Sequence, residues 1–507
     1  MITRFYPSET RPYNYTLASH LLRRAMIAPT HEEIQHSVEI GIEATLEELS
    51  IQFIQGTEYI SEWADKDPQV MRPVSDEEYV GWFWAHKRRV EMFYQWWLQS
   101  IIHSPISMQE RMVLFWHNHF ATDIRLGIEF AIHLYTQYRL LQKMCLGNYK
   151  QFVKEITRSI ATQYCLTLHN NFVHENKKYI NENYARELLE LYTCGVFDEN
   201  GNKNYTQNDV YEAARALTGW FSCDSELGIG YIGRYSRFIK TRWDDGEKTF
   251  LGQKGNWGTD DIIEIVFEQR SQQIASNICT KLCQYYITDN PDEDFIKKLK
   301  VVFIENNWEI LPVIKTMLSS EYFFHEDNRG VLKKNHIEYV TGMIRQFDLK
   351  NIPDFDKKQD KSGDITIRLE QWGQLMYMPP NVSGWVGGRD WVNSSVLPRR
   401  LAFAQDIVHN RLLTISYPRP PAIYTFDIRK FTERFTSSKQ PKELCKELAA
   451  YLLPDILDEE QTNMLIGAIL DGGAEYEWDF ENENHRVFDR IANCLDIIVS
   501  HAAFQLF

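Results

Sequence analysis

The chain has 507 residues, 44% of them apolar and 25% charged, the balance of a globular protein long enough to bury a large core. Its formal net charge of −15 excludes a general nucleic-acid binder, which needs a basic footprint, and electrostatic docking on anionic lipid. No run of about 18 apolar residues occurs, so no membrane span is expected.

Aromatic residues make up 13% of the chain, a high share. Ridges packed between helices account for most aromatics in any fold, and stacking platforms for sugar rings are the sharper reading. Eight cysteines are scattered without a CxxC pair, which speaks for reduced thiols and against a zinc ribbon or a disulfide scaffold. Met1-Ile-Thr-Arg-Phe-Tyr-Pro is not the start of a signal peptide, and a cytoplasmic location is expected.

Read in chain order, helical patterns dominate. Residues 17–27 and 31–50 are amphipathic, with Thr30 as a cap between them. A long aromatic helix over 76–103 stops at Pro105, and Ser107 with Glu110 reads as a capping box for the next one. Helices follow over 126–144 and 148–166. Residues 183–194 form a helix that stops at Gly195, and another starts at Thr206 and runs to Trp220. Tyr231–Ile239 alternates like a strand and would pair with the segment around Thr249 in a hairpin, within an inserted loop over 222–258. Helices resume from 260 to 347. Residues 349–366 read as an exposed linker, and a Gly/Trp-rich loop follows from Pro379. The expected fold is mainly α: one large helical, bundle-like unit over 1–507 with a small β hairpin and long Gly/Trp-rich loops.

Four constellations could carry chemistry. In Trp116-His117-Asn118-His119-Phe120 the two imidazoles point about 200° apart on a regular helix, so they should play different roles. His117 is the one expected to face a pocket, and His119 to be bonded to backbone. Asn183, Arg186, Glu187 and Glu190 share one face of the 183–194 helix. Paired carboxylates there suit acid–base work, while an ion-pair network or a solvated face is the plain alternative. Arg186 is expected to be buried against a carboxylate. Asp198, Asn200, Asn202, Asn204, Thr206 and Asp209 fall at the ligand spacing of a calcium-binding EF-hand loop. Lys203 stands there where glycine is expected, and Asp209 where glutamate gives bidentate reach. The alternative is a polar turn ending in a helix cap. Finally, the segment Pro379–Trp391 offers Trp385 and Trp391 as cleft walls and Asn381 as a polar partner; a loop pinned by aromatic plugs is its structural alternative.

Several of these segments together resemble the bacterial domain-of-unknown-function family numbered 1800. They are Ala18-Ser-His-Leu-Leu-Arg-Arg, Glu110-Arg-Met-Val-Leu-Phe-Trp-His-Asn-His-Phe-Ala-Thr and Asn181-Glu-Asn-Tyr-Ala-Arg-Glu-Leu-Leu-Glu-Leu-Tyr-Thr. Tyr205-Thr-Gln-Asn-Asp-Val, Ala216-Leu-Thr-Gly-Trp, Gly246-Glu-Lys-Thr-Phe-Leu-Gly, Pro379-Pro-Asn-Val-Ser-Gly-Trp and Ala503-Phe-Gln-Leu follow in order. The resemblance implies one mostly helical unit and brings no established reaction. It also implies a sulfatase-like companion protein and relatives that look exported, from which this chain departs in lacking a visible signal peptide. Cys194 stands where relatives commonly have leucine.

The leading expectation is a hydrolytic enzyme acting on a polar or glycan-like substrate. His117, His119, Arg186, Glu187 and Glu190 would be its catalytic groups, and Asn183, Trp220, Asn381, Trp385 and Trp391 its substrate contacts. A non-catalytic helical module that binds a partner protein or glycan, and a calcium-stabilised scaffold, are the alternatives. A hydrolase should bring a histidine of the 117–119 pair to Glu187 or Glu190 inside one concavity.

Overall fold

Helix caps set many of the boundaries. In the computed structural model, which describes residues 2–54, 56, 60, 63–64, 76–126, 130–223, 232–349, 363–411, 425–482 and 486–507, Thr30 accepts from the Glu33 N–H while Glu33 accepts from the Thr30 N–H. This is the reciprocal cap expected between α1 (Tyr15–Ala25) and α2 (His31–Leu49). Next come α3 (Asp76–Ile102), α4 (Gln109–His119), α5 (Ala131–Met144), α6 (Tyr149–Arg158) and α7 (Ile160–Cys165). The expected single helix over 148–166 is therefore two, broken where Ser159 takes an extended conformation with ψ 127°. The capping box expected at Ser107 is also absent. Glu110 instead turns into the core, where Tyr138 and the Trp97 indole donate to its carboxylate at 2.7 and 3.0 Å. Burial raises its pKa, with those donors opposing the rise.

The 183–194 segment begins as α8 (Asn183–Glu187) and widens into a π-helical turn over Leu188–Tyr192. Thr206 and Asp209 form the expected reciprocal cap of α9 (Gln207–Ala216), which ends before Trp220. Trp220 opens a strand instead. Three two-stranded antiparallel hairpins occur among the described residues: β1 (Phe172–His174) with β2 (Lys177–Tyr179), β3 (Trp220–Cys223) with β4 (Ile232–Phe238), and β5 (Lys248–Phe250) with β6 (Gln253–Gly255). The alternating strand after residue 231 thus pairs back onto β3, Trp220 opposite Phe238, and not onto the Thr249 segment. Thr249 pairs with Lys254 in its own tight hairpin.

The rest is helical: α10 (Thr259–Gln269), α11 (Ser271–Tyr286), α12 (Glu293–Glu305), α13 (Ile310–Leu318), α14 (His336–Gln346), α15 (Gly363–Trp372) and α16 (Leu397–Val408). The closing helices are α17 (Ile428–Glu433), α18 (Pro441–Leu452), α19 (Glu459–Leu470) and α20 (Val487–Ser500). Of the linker expected over 349–366, residues 350–362 lie outside the described residues and 363–366 open α15 instead; Tyr231 also lies outside the described residues. The mainly α expectation holds, and no described helix is long and apolar enough to cross a membrane. One hydrophobic cluster takes in buried residues from Phe5 to Phe504, with α4 and α14 among its helices. The ends of these two helices define the candidate site.

Candidate functional site

Helix α4 ends at His119, where the Phe120 N–H closes the last turn on the Trp116 carbonyl. Its C-terminal half borders a cavity of about 510 Å³. The facing walls are Lys281, Gln284 and Tyr285 of α11, Asn335 and Glu338 at the start of α14, the loop from Ser383 to Trp391, Leu191 and the terminal Phe507. The His-Asn-His segment, the end of the 183–194 segment, the Gly-Trp loop and the C-terminus therefore meet at one place.

The two imidazoles are bonded differently: both border the cavity, as expected for His117, but the backbone bond expected of His119 is made by His117 instead. His117 Nε2 accepts the Tyr377 backbone N–H at 3.0 Å, so its own proton sits on Nδ1. Burial lowers this imidazole to about 3, and the ring stays neutral between Trp97, Tyr377 and Trp385. His119 carries the polar network. The Tyr149 hydroxyl donates to the Tyr192 carbonyl, so its oxygen must accept from His119 Nε2, 3.0 Å away. That leaves His119 Nδ1 as an acceptor, and Lys281 Nζ lies 3.3 Å from it. Burial first, and the Lys281 charge second, push the His119 pKa well down.

Lys281 donates also to the Leu191 carbonyl at 3.2 Å and pairs with no carboxylate among the described residues. Desolvation lowers its amine to about 8. The other cavity charges are matched. Arg111 and Glu338 form a buried pair at 2.8 Å, with Tyr285 and Phe507 against the guanidinium. Lys333 pairs with Asp289 at 3.1 Å.

The π-helical turn explains what the 183–194 segment contributes. Its last carbonyls, like those at any helix end, have no intrahelical partner, and they accept from Lys281 at Leu191, from Tyr149 at Tyr192 and, at the cap residue, from Asn277 at Thr193. Its polar side chains lie elsewhere. Asn183, Arg186, Glu187 and Glu190 do not line the cavity. Arg186 is not buried, as expected from sequence, but 39% exposed in an i,i+4 pair with Glu182 at 3.0 Å. Glu187 is half-buried; burial, then the Glu190 charge, raises its carboxyl pKa.

Of the expected substrate contacts, Trp385 and Trp391 line the cavity. Asn381 is a turn former, its side chain accepting the Ser383 N–H. Trp220 opens β3 and does not line the cavity, its indole donating to Thr259. Five of the six oxygen-bearing side chains of the 198–209 loop, those of Asp198, Asn202, Asn204, Thr206 and Asp209, are engaged with the protein itself. Asp198 accepts from the Asn200 and Asn202 N–H groups, and Asn204 donates to the Cys194 and Gly195 carbonyls. Asp209 divides its oxygens between the Thr206 cap and the Leu251 N–H. The geometry is that of a self-closed turn and cap. No described group of three His, Cys, Asp or Glu side chains is arranged to hold a metal ion.

The Gly246–Gly252 segment is likewise structural. Lys248 donates to the Asp244 and Gly246 carbonyls, and Asp244, although desolvated, is held at about 2 by Arg215 and Lys178.

Residues 20–506 match the family described as Protein of unknown function (DUF1800). The chain belongs to that family. No curated protein and no solved structure matches it. Of the DUF1800 segments quoted from the sequence, Glu110–Thr122, Asn181–Thr193 and Pro379–Trp385 each contribute to the cavity wall.

Sequence reasoning missed Lys281, Arg111, Glu338 and Tyr149. A signal for Lys281 was present. It is the one charged residue between Arg270 and Asp289, alone in an otherwise uncharged helix. A lysine is rarely kept in such a setting without a partner or a task.

Proposed function

We propose that this DUF1800 member binds a small, polar, ring-bearing molecule in the cavity beside α4. One observation carries the reading: Lys281, an amine with no carboxylate partner among the described residues, borders a concavity that also has tryptophan in its wall. A cavity of about 510 Å³ suits a ligand of a few sugar or aromatic rings at most. The aromatic side chains offer ring faces, and Asn335 and Gln284 offer polar edges.

The hydrolytic reading comes second. Acid–base hydrolysis of a glycoside uses two carboxylates flanking the scissile bond. Glu187 and Glu190 do not line the cavity, and Glu338 is held by Arg111, Tyr285 and the Asn335 N–H. What favours turnover is Lys281 itself, a positive charge in a partly water-excluded site where a developing oxyanion would be stabilised.

Calorimetric titration with a panel of sugars, sugar acids and aromatic acids tests the binding reading. Trp391→Ala is expected to weaken any ligand found, and product analysis of the same mixtures separates binding from hydrolysis. A ligand whose affinity is unchanged by both Trp391→Ala and Lys281→Gln binds elsewhere and overturns the assignment.

A further inference from the structure

We propose that the cavity selects a ligand carrying a single negatively charged oxyanion, which sits against Lys281 Nζ. The inference rests on the binding reading above and adds the charge of the ligand. It follows from the charges of the wall. Arg111 is compensated by Glu338 and Lys333 by Asp289, which leaves one positive group over. Lys281 spends its known hydrogen bonds on two neutral acceptors, His119 Nδ1 and the Leu191 carbonyl. Three N–H bonds point from an ammonium, so one remains for the cavity.

The neighbouring groups strengthen the case. His119 cannot balance the charge, because its Nε2 proton is committed to Tyr149 and the ring is neutral. The start of α14 is not a competing anion site. Its first N–H groups are already bonded, those of His336 and Ile337 to the Gln374 side chain and that of Glu338 to Asn335. A partly buried unpaired cation is costly, and an oxyanion at hydrogen-bonding distance removes that cost. A carboxylate and a sulfate or sulfonate share this chemistry.

The test follows acetylation of Lys281 by a neutral N-hydroxysuccinimidyl ester at pH 8, read on the Lys281 peptide by mass spectrometry. An anion protects twice over, by occupying the cavity and by holding the amine protonated. Benzoate or benzenesulfonate at about 10 mM, a concentration suited to fragment-sized ligands, is expected to slow acetylation roughly tenfold. Benzamide, the neutral counterpart, is expected to leave the rate nearly unchanged. The more protective anion identifies the class, carboxylate or sulfo group. Equal protection by benzamide would overturn the charge assignment while leaving the cavity as a ring-binding site. Absence of protection by either anion at a reactive Lys281 overturns the inference, and the Trp391→Ala titrations then judge the binding reading separately. A Lys281 that stays unmodified while exposed Lys203 is fully acetylated also overturns it, because the amine would not open to the cavity.

Discussion

The Asn118 side chain clamps the backbone of Trp385. Its Oδ1 accepts the Trp385 N–H at 2.7 Å, and its Nδ2 donates to the Trp385 carbonyl at 3.1 Å. The middle residue of the His-Asn-His segment thus holds the Gly-Trp loop by its backbone. This explains Gly384. It adopts φ +78°, and a Cβ there would lie 2.5 Å from the Asn118 carbonyl oxygen. Gly384→Ala is expected to cost roughly 1–3 kcal/mol from backbone strain alone, with the clash added. Asn118→Ala should cost roughly 1–3 kcal/mol by leaving the two Trp385 backbone groups without partners. Urea denaturation measures both, and losses of only a few tenths would show that the loop is not held by this clamp.

Two arginines of the family segments, Arg186 and Arg111, should differ sharply in what their loss costs. Arg186→Ala removes an exposed pair with Glu182 and is expected to cost less than about 1 kcal/mol. Arg111→Ala strands Glu338 in a buried wall and should cost roughly 3–5 kcal/mol. Equal losses in thermal or chemical denaturation would contradict this ordering.

His117 and His119 are expected to be neutral but opposite tautomers. The Tyr377 N–H fixes the His117 proton on Nδ1, and Tyr149 fixes the His119 proton on Nε2. Both pKa values are pushed below the usual imidazole range by burial. Nitrogen-15 spectra of histidine-labelled protein should show two such rings that do not titrate between pH 5 and 8. Tyr149→Phe removes the acceptor for His119 alone, so only that ring's signals should change. A His119 signal that titrates near its ordinary pKa would remove the basis for the Lys281 network.

What was legible in the sequence follows the reach of local patterns. Thr30 and Thr206 were readable as caps because the partners of a reciprocal cap lie only three positions apart. His117, His119, Trp385 and Trp391 were readable as site residues because they are dense in unusual types. The polar face of α8 misled for a physical reason. Helical spacing shows which side chains share a face, not whether that face meets solvent or a cavity. Here the segment acts through the carbonyls at its C-terminal end, and backbone bonding leaves no mark in side-chain patterning. Arg111 and Glu338 come from helices 227 residues apart in the chain, so neither announces the other.

The 198–209 loop offers a direct test of spacing against geometry. Asp209 uses both oxygens on the protein, and Asn204 is buried against Cys194 and Gly195. Calcium binding would have to break the cap of α9, which is worth roughly 0.5–2 kcal/mol. Millimolar calcium is therefore expected to give neither calorimetric heat nor a rise in melting temperature. Binding at that concentration would show that the loop rearranges.

Lys281 should oppose folding while serving the ligand. Its amine titrates at about 8 in the folded chain against 10.5 when unperturbed, because burial disfavours the cation. Between these values the unfolded chain holds a proton that the folded chain does not. The contribution of this group to stability therefore rises as pH climbs from about 8 to 10.5, and below about 8 the full cost of the buried charge applies. The groups around it do not offset that cost: His119 is neutral, the Leu191 carbonyl is a dipole, and the Arg111–Glu338 and Lys333–Asp289 pairs are each balanced. Lys281→Met keeps the length of the side chain and removes the charge. Near pH 7 the variant is expected to be as stable as the parent chain or more so, with the difference shrinking as pH rises toward 10, while oxyanion binding is lost. Chemical denaturation across that pH range, paired with the ligand titration, reads both effects. A variant destabilised equally at every pH would mean that Lys281 is held for its hydrogen bonds to His119 and Leu191 rather than for its charge.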